Sequence, residues 1–194
     1  MAVFIHPTAV VESKKIDDGT KIWHFAHIRE DAVVGKNCII GKGVYIDTGV
    51  RIGNNCKIQN FVSVYRGVEI EDDVFVGPSA TFTNDMMPRA FMWSDEKIVK
   101  TFVKKGASIG ANATIVCGNT IGKYAMVGAG SVVTKDVPDF GLVYGNPATL
   151  RGFVCECGKK LKKIIKEVED EVIFKCECGK EIKIKKRFLK EVKK

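Results

Sequence analysis

An aliphatic side chain recurs at every sixth position along the first part of the chain: Val10, Ile16, Ile22, Ile28, Val34, Ile40, Ile46, Ile52, Ile58, Val64, Ile70 and Val76, with Phe82 as the last member. Two positions before most of these lie small or modest residues, among them Thr8, Thr20, Ala26, Ala32, Cys38, Val44, Cys56, Val62 and Ala80. Glycine follows the aliphatic position directly at Gly35, Gly41, Gly53 and Gly77. A period of six matches neither the helical turn of about 3.6 residues nor a long simple alternation. It predicts a triangular solenoid: each hexad supplies one short strand and one corner, three hexads close a coil, and the aliphatic side chains fill the interior.

The ladder breaks off at "FTNDMMPRAF", residues 82–91, and resumes out of phase at Ile109, Ile115, Ile121, Val127 and Val133. This predicts a loop over residues 83–103 thrown out from one corner, and long loops on rigid scaffolds often carry function. Residues one coil apart stack. Asn84 should therefore continue the outward column of Glu30, Thr48 and Arg66, and Thr83 that of Arg29, Asp47 and Tyr65.

Composition separates a second region. From Arg151 onward there are 15 Lys and Arg against 8 Asp and Glu, so +7 of the formal +8 lies in the last 44 residues. The tail's three phenylalanines, Phe153, Phe174 and Phe188, are too few and too scattered to suggest base stacking, which argues for a solvated basic surface over nucleic-acid binding. No apolar run approaches the ~20 residues of a membrane span, so no membrane insertion is expected. The start "MAVFIHPTAVVE" lacks the pattern of a signal peptide, so the expected location is cytoplasmic.

The tail repeats "CECGK" at 155–159 and 176–180. Cys155, Cys157, Cys176 and Cys178 form two matched pairs, which in a reducing compartment suggest four-thiolate ligation of a structural zinc, with iron or a redox dithiol as alternatives. A segment this small buries little surface, so metal binding would supply most of its folding energy. Cys38 and Cys56 fall on inward ladder positions and read as buried apolar residues, while Cys117 is ambiguous.

"FTNDMMPRA", "KKGASIGANATIVCGNTIGKYAMVGAGSVVTKDVPDFGLVYGNPA", "KIWHFAHI" and "KIQNFVSVYRGVEIEDDVFVGPSATF" together resemble the nucleotide-sugar N-acetyltransferases built on a left-handed β-helix. Within them the likeness is greatest to the UDP-2-acetamido-3-amino-2,3-dideoxyglucuronate N-acetyltransferases of surface-polysaccharide synthesis. It implies an all-β chain with two parts. Residues 1–153 would be a left-handed parallel β-helix of hexapeptide repeats with the extruded loop 83–103, and residues 154–194 a small zinc-ribbon-like module. It further implies a homotrimer with acetyl-CoA in the groove between neighbouring solenoids.

The reaction implied is amide formation between a sugar amine and the acetyl-CoA thioester, which needs a neutral, oriented amine. The resemblance points to Asn84 as the catalytic residue. Its amide oxygen can orient the amine, although an amide is too weak a base to remove the proton. Asp85 is the alternative base, and His24 or His27 would matter only if a coil edge brought them within reach. Arg89 is a candidate for the substrate carboxylate or diphosphate, with Asn60 and Tyr65 as further substrate contacts. Gly110, Ala111, Gly128 and Ala129 would let pantetheine approach, Lys135 and Arg151 would meet the phosphates, and Asn146, Pro147 and Ala148 would close the adenine end.

A dTDP-3-amino-3,6-dideoxyhexose is the alternative acceptor. The UDP-uronate reading needs a cation for the sugar carboxylate, for which Arg89, Arg66 and Arg29 are available. Two other function classes stand beside these. A zinc hydratase on the same solenoid needs three converging histidines, and the spacing of His6, His24 and His27 does not supply them. A non-catalytic zinc-bearing assembly module would use the basic tail to hold a partner.

Overall fold

In a computed structural model of the chain, residues 2–192 are described. Met1, at the start of the expected 1–153 unit, and Lys193 and Lys194, at the end of the expected 154–194 module, lie outside the described residues. The hexads close into a parallel β-solenoid of about eight turns with three faces, as a left-handed β-helix of hexapeptide repeats requires. A nine-stranded first face begins at Phe4–Ile5, a seven-stranded second face at Val10–Val11 and a six-stranded third face at Lys15–Ile16. Most strands are two residues long, because each hexad turns a corner immediately after its ladder residue.

The ladder side chains stack into columns that form the core. Ile22, Ile40, Ile58, Val76, Ile109 and Val127 follow one another up the first face, all at most 1% exposed. Each such burial contributes roughly 1.5–3 kcal/mol. The third residue after the ladder position takes the left-handed conformation, as at Asp31 (φ 57°), Asn37 (58°), Gly43 (64°) and Asn55 (58°). Gly, Asn and Asp tolerate that region best, which explains their recurrence at corners. Corner side chains also satisfy the coil below: Asn54 Oδ1 accepts the Lys36 N–H at 2.8 Å and Asn60 Oδ1 the Lys42 N–H at 2.9 Å.

Three departures from the sequence expectation are visible. First, Val11 rather than Val10 pairs with Ile28, and Val10 is 53% exposed. Ala9, not Thr8, then occupies the small inward site. The cause is a corner one residue short between Val11 and Ile16, held by Ser13, whose buried hydroxyl donates to the Ala32 carbonyl at 2.6 Å and accepts the Lys15 N–H at 3.0 Å. Second, Val103 is itself a ladder residue. Thr101–Val103 is a strand paired with Val68–Ile70, so the excursion occupies residues 83–100 and its last three expected residues belong to the third face. Third, Ile70, Val76 and Phe82 stack on Val103, Ile109 and Ile115, 33 residues on, which places the insertion wholly at one corner.

Strands Gly141–Gly145 and Ala148–Phe153 form an antiparallel hairpin at the far end. Beyond it, Lys163–Glu167, Glu171–Lys175 and Glu181–Lys185 make a three-stranded antiparallel sheet followed by a short helix, Lys186–Leu189. Val172, Phe174, Ile182 and Ile184 join Phe153 and Leu161 in the same continuous core, so the tail covers the open end of the solenoid. No helix among the described residues is long and apolar enough to cross a membrane.

Candidate functional site

The excursion leaves the corner between the second and third faces. Thr83 directly follows the buried Phe82, and its hydroxyl accepts the Cys117 N–H at 3.0 Å. The Asn84 carbonyl accepts the Val99 N–H at 2.9 Å, which closes the neck of the loop. The Asn84 side-chain amide makes no hydrogen bond among the described residues. Asp85 is committed to the turn, since its Oδ1 accepts the Met87 N–H at 2.7 Å. The expected stacking holds: Val64 pairs with Phe82, so Tyr65 and Arg66 lie one coil below Thr83 and Asn84. One coil above Asn84 sits Cys117, 2% exposed, a residue whose role the sequence left open.

The three arginines considered for a carboxylate are not equally available. Arg29 donates from Nη2 to Glu30 at 2.8 Å and from Nε to Glu12 at 3.2 Å. Hydrogen bonding to Arg29 holds the Glu30 carboxyl down at about 2. Arg66 is paired with Asp95 of the loop at 2.9 Å. Arg89 is exposed, and its Nη1 donates to the Pro88 carbonyl at 3.0 Å. Tyr65 lies against Tyr45, with ring centroids 5.7 Å apart.

Gly110, Ala111, Gly128, Ala129 and Asn60 stand at a different corner, between the first and second faces, in the columns set by the pairing of Ile58, Val76, Ile109 and Val127. The glycines there are required by coil stacking itself: a Cβ on Gly110 would lie 2.4 Å from the Ala129 nitrogen. The hairpin turn carrying Asn146, Pro147 and Ala148 crowns this column, because Val143 pairs with Val127. Arg151 stacks over the Tyr144 ring at 5.3 Å beside it. Lys135, exposed, instead tops the column of Asn84 and Cys117. One chain thus brings Tyr65, Asn84 and Lys135 together, with Arg89 on the adjoining loop. It brings the small residues, Asn60 and the hairpin together elsewhere.

The histidines stay near the N-terminal end. His27 is three coils below Thr81 on the second face, about 14 Å away at ~4.8 Å per coil. Its Nε2 meets Glu12 at 3.3 Å. His6 and His24 stack with centroids 3.4 Å apart, and desolvation together with His24 pushes His6 below its ordinary value. The coil edges do not carry a histidine to the loop.

The tail cysteines do converge. The Sγ atoms of Cys155, Cys157, Cys176 and Cys178 all lie within 4.8 Å of one another, with Cys155 to Cys178 and Cys157 to Cys176 both at 3.6 Å. Four thiolates around a tetrahedral zinc at about 2.3 Å would be separated by about 3.8 Å, so the donor set is compatible with zinc. Both knuckles share one turn: the Gly158 N–H donates to the Cys155 carbonyl at 2.8 Å and the Gly179 N–H to the Cys176 carbonyl at 2.9 Å. Each glycine adopts positive φ, 84° and 91°. Lys159 pairs with Glu177 at 3.0 Å and Lys180 with Glu156, tying the knuckles reciprocally.

Comparison with known proteins gives a family. The description "Bacterial transferase hexapeptide (six repeats)" matches residues 13–48 and 49–84, and "Hexapeptide repeat of succinyl-transferase" matches 31–66 and 105–135. The dTDP-3-amino-3,6-dideoxy-alpha-D-galactopyranose 3-N-acetyltransferase of Aneurinibacillus thermoaerophilus is 51% identical over 161 residues, covering 83% of each chain. The bifunctional protein GlmU of Dechloromonas aromatica is 39% identical, covering 84% of this chain and 37% of that protein. Among solved structures, a mutant GDP-perosamine N-acetyltransferase from Caulobacter crescentus with CoA and GDP-perosamine matches with TM-score 0.56 and 25% identity, over 78% of this chain and 57% of that one. An acetyltransferase from Vibrio cholerae complexed with acetyl coenzyme A matches with TM-score 0.51 and 26% identity, over 60% and 68%. The repeat geometry and these likenesses agree, and the chain belongs to the hexapeptide-repeat family of acetyltransferases.

Proposed function

We propose that this protein transfers the acetyl group of acetyl-CoA to the 3-amino group of a dTDP-linked 3-amino-3,6-dideoxyhexose. The observation that carries the choice of acceptor is the state of the corner arginines. Arg29 and Arg66 already face carboxylates, which leaves them poorly placed for a uronate and suits a neutral 6-deoxy sugar. The half-length likeness to the perosamine enzyme and the fuller likeness to the dTDP-amino-sugar enzyme support the reaction class. Arg89, which has no carboxylate partner among the described residues, favours the UDP-2-acetamido-3-amino-2,3-dideoxyglucuronate as the second reading.

In this reading the active unit is a homotrimer. The loop corner of one chain faces the smooth Ala111 and Ala129 column of its neighbour, uniting groups that a single chain keeps apart. The exposed Met87, Phe91 and Trp93 of the loop, 75%, 82% and 60% accessible, are the apolar surface such a neighbour would cover. Asn84 accepts a hydrogen bond from the amine and points its lone pair at the thioester carbonyl. As the C–N bond forms and the C–S bond breaks, CoA leaves as thiolate and the ammonium proton passes to water or to that thiolate. Acetyl-CoA would run up the small-residue column towards Asn146, Pro147 and Ala148, and the four cysteines would hold a structural zinc that fastens the tail.

A thiol-release assay with acetyl-CoA and each of the two amino sugars tests this. Turnover should be confined to the dTDP sugar, and Asn84→Ala should lower kcat about a hundredfold through lost orientation. Preference for the uronate would reverse the choice of acceptor.

A further inference from the structure

Below the level of the loop, the corner that carries Ala111 and Ala129 changes character. Reading down the column from Pro78, the residues are Asn60, Lys42 and His24, with Gln59, Gly41 and Trp23 beside them. Because Gly41 has no side chain, a hollow of about 320 Å³ opens between Trp23 and Gln59. Trp23, 38% exposed, lies within 5° of parallel to His24, which stacks in turn on His6. The Lys42 ammonium sits 5.9 Å from the Phe25 ring centroid and 5.8 Å from that of Phe61, and meets no carboxylate among the described residues.

Phe25 and Phe61 take the left-handed corner position of their coils, as Tyr124 and Phe140 do further up. Both adopt positive φ, 57° and 60°, and both are exposed, at 61% and 54%. A bulky side chain in that region is strained; Phe61 packs its ring over Gly43 of the neighbouring coil, where a Cβ would lie 2.6 Å from the ring. The two rings flank one cation, Lys42.

We propose that this hollow binds the nucleoside diphosphate of the acceptor, with the base against Trp23 and His24 and a phosphate oxygen on Lys42. The inference deepens the nucleotide-sugar reading above and rests on it. Three coils separate Trp23 and His24 from the level of Pro78 and Asn84, about 14 Å at ~4.8 Å per coil, comparable with the span from base to hexose in an extended sugar nucleotide. The column is thereby divided: nucleotide below the loop, reacting amine beside it, small residues for the thioester donor above. An unpaired ammonium flanked by rings offers a phosphate a charge-assisted partner, and the aromatic platform offers any base a stacking face.

The test uses the full chain, with dTDP itself as the probe. In a Trp93→Phe background Trp23 is the sole tryptophan, and dTDP should quench its emission. Lys42→Gln should weaken dTDP binding by calorimetry, and raise KM for the amino sugar, about tenfold, leaving KM for acetyl-CoA unchanged. Lys42→Arg, which keeps the charge, should recover most of the affinity if the site reads phosphate. Unaltered dTDP affinity in Lys42→Gln, or no dTDP binding by the parent protein, overturns the subsite. If dTDP binds in a Lys42-dependent way but the amino sugar is not acetylated, the subsite stands and the acceptor assignment falls. If acetylation proceeds while dTDP binding is independent of Lys42, the reverse holds.

Discussion

Thr83→Val tests whether the loop is aligned by the side-chain hydrogen bond that Thr83 makes to the coil above, beside the backbone bond from its N–H to the Ile115 carbonyl at 3.0 Å. Because the excursion interrupts the coil at this corner, the Cys117 N–H takes its partner from a side chain, Thr83 Oγ1 at 3.0 Å. Valine keeps the shape of threonine and removes only the acceptor, so the change isolates that bond. Leaving a buried N–H without a partner costs about 1–3 kcal/mol, and Cys117 is 2% exposed, with little access for water to compensate. For a chain of this size the melting temperature should fall by roughly 2–4 °C per kcal/mol. Hydrogen exchange gives the more local reading. The Cys117 amide should lose protection in Thr83→Val while amides in the first coils keep theirs, since coils stabilise chiefly their neighbours. Thr83→Ser should restore both. Because Asn84 is the next residue, kcat should fall with the protection. A Thr83→Val protein with wild-type melting and Cys117 exchange would refute the reasoning, and would mean that the loop neck is set by its backbone bonds, Thr83 N–H to the Ile115 carbonyl and Val99 N–H to the Asn84 carbonyl, and by the Arg66–Asp95 pair.

Two further outcomes follow from the tail and from the charged column. The purified protein should carry one zinc per chain by elemental analysis. Cobalt substitution should give the thiolate charge-transfer band of a four-sulfur site, and Cys176→Ser or chelation should unfold the terminal sheet with the metal's loss. Glu30, whose carboxyl hydrogen bonding to Arg29 holds at about 2 against an ordinary 4.5, contributes stability that is present above pH 4.5 and is lost as pH falls through about 2. Glu30→Gln should flatten the melting profile in that acid window, and an unchanged profile would show the Arg29 pairing to be without thermodynamic weight.

The architecture was legible in one dimension because a hexad ladder has only one way to bury its aliphatic residues. Ile22 through Val76 face inward in the structure as the period requires. The metal candidates were legible for a similar reason: two identical "CECGK" turns fold alike wherever they occur, and their sulfurs meet. Where a hexad is shortened by a single residue the period alone misplaces the ladder, as at Val10 and Val11, because both are valine and only the buried Ser13 hydroxyl decides which turns inward. The end of the loop was hidden likewise, since Val103 joins the ladder through pairing with Ile70, a contact across 33 residues of chain.

What sequence alone determined is therefore the period, the corner at which the chain departs from it, and the residues able to do chemistry there. Which of those residues share a place was decided by tertiary structure. Asn60 and Tyr65 are five positions apart, yet a corner of the triangle falls after each strand and sends them to different edges. Asn84 and Cys117 are distant in the chain but adjacent in one column. The distribution of charge belongs to the fold as well. Arg66 could have served a carboxylate on composition, and it is the return of the loop, bringing Asp95 to 2.9 Å, that neutralises it. Short-range periodicity dictates which side of the backbone a residue faces, whereas stacking and loop closure dictate what stands opposite it.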